Sequence, residues 1–388
     1  MLIGICGSIC AGKHTTAEYL VQHHNFLRLH LPTPTQLHSE PSTSQTQDHL
    51  RLLPSVTDQV GTRGLSFPDV DSLLDFVTKR WREHWVLTDL YDEATLEMLL
   101  RRPFFLLINV DAPVGVRYGR FSERCRKRNL SPMPLEVFVH HNDLQLYGAK
   151  FTTSPNTSPT HLSSSKRSAL APLLSHAHLS ILNIHPSPSA YHHFLGTLDL
   201  PSPTRLRPTW DAYFMTLASL ASHRSNCMKR RVGCVLVHNA RIISTGYNGT
   251  PRGLVNCNEG GCPRCNAASS GGTGLSTCLC LHAEENALLE AGRERIREGA
   301  VLYCDTCPCL TCSVKIAQVG VKEVVYSQSY NMDEASRRVL REAGVELRQF
   351  VPKRSGLVGF DFSEEELDGN GHDQRHKQGQ LVVLNGRT

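Results

Sequence analysis

The apolar residues of the first half fall into short runs separated by helical spacing. "LIGICGSICAGKHTTAEYLVQHH" predicts a strand, a glycine-containing loop and a helix. "EHWVLTDL" predicts another strand and "YDEATLEMLLRRP" a helix. "FFLLINVDAP", ending its apolar run at Asp111, has no polar alternation and predicts a strand buried on both faces. Strands alternating with helices imply a parallel sheet covered by helices. Residues 152–168, rich in Ser, Thr and Pro, cannot bury enough apolar surface and predict a disordered insertion. "HLSILNIHPSPSAYHHFLGTL" restores a strand and a helix, so a first domain spans 1–200 and "PSPTRLRP", 201–208, is a linker.

The second half opens with the helical "TWDAYFMTLASLASHRS". In "VGCVLVHNARIISTGYNGTPRG", two β-branched runs flank the turn "HNA" and predict a hairpin. After a Gly- and Cys-rich loop comes a helix over 282–291, stopped at Gly292. Strand "AVLYCD", helix "PCLTCSVKIAQVG", strand "KEVVYS", helix "DEASRRVLREAG" and strand "VELRQF" complete an α/β/α domain with a mixed sheet over 209–352. Residues 353–388, including "SEEELDGNGHDQRHKQG", read as a polar tail.

Composition narrows the function. The 388 residues suffice for two cores. Forty-one Lys and Arg against 36 Asp and Glu leave a formal charge of +5, too mild to imply a nucleic-acid polymer as partner, while a small anionic ligand stays open. No run is long enough to span a membrane and no basic segment precedes the apolar start, so the expectation is a cytoplasmic protein that also reaches the nucleus. Eleven of the 14 cysteines lie between Cys227 and Cys312. In a reducing compartment such clustering points to zinc or catalysis rather than disulfides.

The sharpest pattern is "LHAEENALLEAG" followed by "DTCPCLTCSVKIAQVG". Residues two apart diverge on a regular helix, so His282 and Glu284 converge only where the helix begins. Acidic residues there also suit the helix dipole, and Glu285 reads as solvated. Pro308 precedes Cys309, and Cys312 lies three positions on, which puts both sulfurs on one face of a helix start where thiolates are favoured. A lone Cys-x-x-Cys also describes a redox pair. With His-x-Glu upstream and a strand between, His282, Cys309 and Cys312 instead make three ligands of a tetrahedral zinc with one open position. Bound there, water falls from a pKa of about 15.7 toward roughly 7, and Glu284 stands ready to take its proton. The paired motifs are the signature of zinc nucleobase deaminases.

On these motifs, with "CMKRRVGCVLV", "GYNGTPRG" and "VKEVVYSQSY", residues 209–352 resemble the cytidine deaminase superfamily and, within it, the deoxycytidylate (dCMP) deaminase family. The resemblance implies a five-stranded mixed sheet and zinc-dependent hydrolysis of dCMP to dUMP and ammonia, supplying dUMP for thymidylate synthesis. It assigns Asn248 to the nucleotide sugar and Tyr330 to the substrate pocket. It also implies a homo-oligomer, a hexamer, activated by dCTP and inhibited by dTTP. Arg224, Lys229, Arg230, Arg231 and Arg252 supply the cationic donors that a monophosphate needs. Two alternatives stay open: a deaminase of another base, such as tRNA adenosine or a riboflavin precursor, and a zinc-ordered nucleic-acid-binding module.

Two further features stand apart. The loop "NCNEGGCPRCN…STCLC", with Cys227 upstream, offers Cys257, Cys262, Cys265, Cys278 and Cys280 but little apolar surface, so a second, structural zinc is expected to order it. Near the N-terminus, "GSICAGKH" fits G-x-x-x-x-G-K-[ST] except for His14, where a Mg²⁺-holding hydroxyl belongs. Gly7, Gly12 and Lys13 are candidates to cradle a phosphate. This half resembles the P-loop small nucleotide and dephospho-coenzyme A kinases, an extension that fungal dCMP deaminases carry. His14 argues for a degenerate, nucleotide-sensing domain without phosphoryl transfer.

Overall fold

A computed structural model of the chain describes residues 1–32, 64–148, 169–267, 274, 277–329, 334–351 and 356–358. The expected disordered insertion at 152–168 and the polar stretch at 363–379 lie outside the described residues. In chain order the elements are β1 (Leu2–Gly7), α1 (Lys13–His24), β2 (Leu27–His30), β3 (Gly64–Ser66), α2 (Val70–Lys79), β4 (Trp85–Leu87), α3 (Glu93–Leu100), β5 (Phe105–Asp111), α4 (Val114–Lys127), α5 (Leu135–Tyr147), α6 (Leu170–Ser175), β6 (Leu179–Leu182) and α7 (Pro188–Leu198). Then follow α8 (Trp210–Ser222), β7 (Gly233–His238), β8 (Arg241–Tyr247), α9 (Pro263–Asn266), α10 (Ala283–Ala291), β9 (Val301–Thr306), α11 (Leu310–Val319), β10 (Glu323–Gln328), α12 (Glu334–Glu342), β11 (Glu346–Gln349) and β12 (Gly356–Val358). They form two compact units that divide at Leu206/Arg207 and again at Lys353/Arg354.

The first unit is built on a seven-stranded sheet in the order β12-β6-β5-β1-β4-β2-β3, with every neighbouring pair parallel. Side chains alternate between its faces: Ile3, Ile5, Leu106 and Ile108 enter one core, and Leu2, Cys6, Phe105 and Leu107 the other. Both faces are covered, which is why these strands read as unbroken apolar runs. β12 comes from the segment expected to be polar tail: Gly356–Val358 pair with Leu179–Ile181 at the sheet edge, and Val358 joins the core.

The second unit has the order β11-β10-β9-β7-β8, with β7 antiparallel to both neighbours and β9, β10 and β11 parallel. This is the expected five-stranded mixed sheet. Phe214, Met215 and Ala218 of α8 pack on Val235, Val237 and Tyr303 on one face. Ala283 and Ala287 of α10, Ile316 of α11 and Leu340 of α12 pack on Cys234, Leu236, Leu302 and Val324 on the other. The hairpin turn holds Asn239 and Ala240 at φ 49° and 57°. Two consecutive positive φ values are what a tight hairpin turn with the right twist requires. No helix among the described residues is long and apolar enough to cross a membrane.

Gly246 of β8 lets α10 lie close against the sheet. A Cβ there would fall 2.0 Å from Ala283 O and 2.6 Å from Ala287 N, both backbone atoms of that helix. Gly246→Ala is therefore expected to push α10 outward, costing about 1–3 kcal/mol as overpacking does. Thermal unfolding and bound zinc, measured together, check this; an unchanged midpoint with unchanged zinc would contradict it.

Candidate active site and metal centres

Two helix starts carry the candidate ligands. His282 occupies the N-cap of α10 with extended backbone (φ −78°, ψ 156°), and Cys309 the N-cap of α11 (φ −76°, ψ 170°). Ser, Thr, Asp or Asn normally fill this position and bond the exposed amides. Here neither side chain caps its helix. The position is left free for ligation, a local departure of the kind expected at functional sites. Leu281, just before His282, exchanges both backbone hydrogen bonds with Gly249 (2.8 and 3.1 Å), which fixes where α10 begins. Cys307 N donates to Gln328 O at 3.0 Å, which holds the turn from β9 into α11 against β10.

The donors converge. Cys309 Sγ lies 3.3 Å and Cys312 Sγ 3.4 Å from His282 Nδ1, and all three ligand atoms lie within 4.8 Å of one another. With zinc bonds of about 2.0–2.1 Å to nitrogen and 2.3 Å to sulfur, a tetrahedral ion needs an N···S edge of about 3.5 Å. A spread of roughly 0.2 Å admits it, so these residues fit zinc. Hydrogen bonds from Cys312 and His282 hold the Cys309 thiol down at about 3, and the bond to Cys309 lifts His282 to about 9. The same pairing with Cys309, together with burial, pushes the Cys312 thiol up. The trio thus already favours a thiolate, and a divalent cation would expel the remaining protons.

Glu284, in the first turn of α10, is 4% exposed, and burial pushes its carboxyl up to about 7. Asp305 at the end of β9, raised to about 6 by burial, adds to that rise. Asp305 accepts hydrogen bonds from Gly233 N and Thr306 Oγ1, each 3.1 Å. The sequence reading missed Asp305, although it stands inside the motif "CDTCPC". It also took Glu285 as solvated, whereas Glu285 Oε1 pairs with Lys315 Nζ at 2.6 Å and so ties α10 to α11.

Asn248 is mostly committed to the protein. Its Oδ1 accepts from Ser225 Oγ (2.7 Å) and Val232 N (2.8 Å), and its Nδ2 donates to Arg230 O (2.7 Å). Arg230 reaches Thr306 Oγ1 and Gln328 Oε1 at 3.1 and 3.2 Å, which places its guanidinium at the carboxyl ends of β9 and β10. Arg224, Lys229, Arg231 and Arg252 are exposed. Tyr330 lies outside the described residues.

The six cysteines that are candidate ligands of a second ion come together. Cys257, Cys262, Cys265 and Cys280 are buried, with Cys227 and Cys278 packed on them. Several of their sulfurs stand 3.8–3.9 Å apart, close to the S···S edge of about 3.8 Å in a zinc tetrahedron.

In the first unit, the loop between β1 and α1 is held by its carbonyls: Ala11 O accepts from Asn183 Nδ2 (2.9 Å) and from an Arg120 guanidinium nitrogen (3.2 Å). Gly12 adopts φ 115°, and a Cβ there would meet Asn183 Nδ2 at 2.4 Å; one on Gly7 would meet Val110 O at 2.1 Å. Lys13 is half-buried, which lowers its ammonium pKa, and burial pushes His14 down to about 3. Thr16 turns into the core, where its hydroxyl bonds Gly12 O and Tyr191 OH at 3.2 and 2.9 Å.

Known proteins share this architecture in sequence. Residues 208–328 match the family model described as the cytidine and deoxycytidylate deaminase zinc-binding region. The deoxycytidylate deaminase of Schizosaccharomyces pombe is 46% identical over 355 residues, 92% of this chain and 99% of that protein. That of Saccharomyces cerevisiae is 41% identical over 351 residues, 90% of this chain and 96% of the relative. A deoxycytidylate deaminase of Mycobacterium phage D29 is 42% identical over 125 residues, 31% of this chain and 95% of its own length. With two relatives matched over nearly their full lengths and a zinc-type donor set at two helix starts, this chain belongs to the deoxycytidylate deaminase family.

Proposed function

We propose that the unit from residue 207 to 353 hydrolyses dCMP to dUMP and ammonia, with His282, Cys309 and Cys312 holding a zinc ion and Glu284 moving the protons. The observation that carries this reading is a buried carboxylate two residues from a ligand histidine, beside a three-donor set. When bound, zinc supplies a Lewis acid and an acidified water at its open position. Glu284 accepts one proton from the attacking water and delivers it to N3 of the cytosine ring, then takes the second proton from the hydroxyl now on C4 and passes it to the departing amine. Burial suits this task, because a carboxyl raised toward neutrality both accepts and returns a proton readily. Lys315 holds Glu285 aside and keeps α10 in register with α11.

The same reading assigns the rest of the site. Asn248 shapes the "YNG" loop and turns its remaining amide N–H to the nucleotide sugar, Tyr330 lines the base pocket, and Arg252 with the neighbouring cations receives the monophosphate. The cysteine lobe is ordered by structural zinc. A hexamer responding to dCTP and dTTP, acting in the cytoplasm and nucleus to supply dUMP for thymidylate synthesis, completes it by family likeness.

The first unit is read as a degenerate P-loop domain that senses a nucleotide. Gly7, Gly12 and Lys13 are kept, but His14 replaces the Mg²⁺-holding hydroxyl and Thr16 is committed to the core. A shift of one residue turns a helical side chain by about 100°, so Thr15 is poorly aimed to substitute.

Two outcomes are expected. Glu284→Gln retains fold and zinc but lowers kcat by about 10²–10⁴-fold, as loss of general acid–base catalysis does. Steady-state kinetics with metal analysis decide this, and near wild-type turnover would remove Glu284 from the mechanism. Lys13→Ala leaves deamination within a few fold, and the wild-type chain transfers no phosphoryl group from ATP and Mg²⁺ to nucleoside monophosphates or dephospho-coenzyme A. Transfer that vanishes in Lys13→Ala would overturn the degenerate reading.

A further inference from the structure

The cysteine lobe offers more sulfur than one ion can use. Its buried core consists of the cysteines themselves, so whatever binds the sulfurs holds the lobe together. Two groups of four have mutually close sulfurs: Cys227, Cys257, Cys265 and Cys280, and Cys262, Cys265, Cys278 and Cys280. The groups overlap in Cys265 and Cys280. We propose that the lobe binds two zinc ions as a binuclear cluster, with Cys265 and Cys280 bridging, Cys227 and Cys257 completing one ion, and Cys262 and Cys278 the other. This rests on the reading that the lobe is ordered by metal, and extends it from one ion to two.

The sulfur distances follow that partition. Cys227 lies 3.9 Å from Cys265, an edge of the first tetrahedron. Cys262 to Cys278 at 3.9 Å and Cys265 to Cys278 at 3.8 Å are edges of the second. Cys265 to Cys280, at 3.9 Å, is the pair common to both sets, about 0.5 Å wider than the bridging edge of two zinc ions requires. Two tetrahedra joined along an edge have six corners, the number of sulfurs present. A single four-coordinate ion would instead leave two thiols, one of them buried, outside its coordination shell.

Charge and hydrogen bonding agree. Six thiolates against two divalent cations leave two negative charges, whereas one cation would leave four or require retained protons. Arg264, 9% exposed, lies against Cys278 and Cys265 and offsets part of that charge. Met228 N donates to Cys257 Sγ and Leu279 N to Cys262 Sγ, each at 3.4 Å, so one non-bridging sulfur of each ion receives a backbone N–H. The bridging edge is the strictest geometric requirement of such a cluster. With Zn–S bonds of about 2.3 Å, a shared edge of 3.9 Å would set the ions roughly 2.4 Å apart, and contraction to about 3.4 Å separates them to about 3.1 Å. One bridging sulfur belongs to Cys280, two residues before His282, so the cluster would anchor the chain just ahead of α10.

Metal counting on the full chain tests the proposal. In a Cys309→Ala, Cys312→Ala double variant, which lacks the catalytic ligands, native mass spectrometry after dialysis is expected to find two zinc ions per chain. One ion would overturn the binuclear cluster while leaving a metal-ordered lobe. None would overturn the metal-ordered lobe as well. Zinc-edge X-ray absorption on the unmodified chain gives a reading that does not depend on a variant folding: a zinc–zinc vector near 3.1 Å supports the cluster, and its absence from fully zinc-loaded protein rules it out.

Discussion

The second unit depends on one convergence: two thiols brought within 3.4 Å of an imidazole nitrogen across two helix starts. Each element around them serves it. The carboxyl end of β9 feeds α11, so Cys309 arrives at a position set by the sheet, the usual place for a site in such folds. Gly246 lets α10 settle on β8, and the Gly249–Leu281 bridge fixes its first turn. Glu285 and Lys315 then join the two helices; at 26% and 44% exposure the pair contributes alignment more than stability, since surface pairs give about 0–1 kcal/mol.

The two metal-binding regions are one connected structure. Cys280, Leu281 and His282 are consecutive, so one strap of chain joins the cysteine lobe to the candidate catalytic ligand. The "YNG" loop braces that strap. Asn226 accepts from Thr250 N at 3.1 Å and donates to Asn256 at 2.8 Å, next to Cys257. Ser225, which bonds Asn248, also accepts from Cys227 N at 3.2 Å. Ordering the lobe and placing His282 are therefore coupled through short hydrogen bonds rather than through distant packing.

Local spacing made much of this legible. His-x-Glu and Pro-Cys-x-x-Cys speak through helix geometry, and "HNA" between β-branched runs announces a hairpin because the turn is closed by neighbouring residues. Pairing across long separations left no comparable trace. β2, β3 and β12 are three or four residues long, and β12 joins β6 from beyond the second unit. Glu285 looked solvated because its partner sits on another helix, and Asp305 was hidden among ligand residues in the same motif. That six cysteines fall into two sets sharing a pair is likewise a fact of three dimensions, since along the chain the shared Cys265 and Cys280 merely alternate with Cys262 and Cys278.

In the proposed reading this site deaminates a nucleotide, with phosphate recognition built on the cations around the "YNGTPRG" loop. Product analysis of the zinc-loaded full chain with dCMP, CMP, deoxycytidine and dCTP, run side by side, tests it most directly. The expected result is dUMP and ammonia from dCMP, with turnover of deoxycytidine far lower. Deamination of deoxycytidine without deamination of dCMP would contradict it.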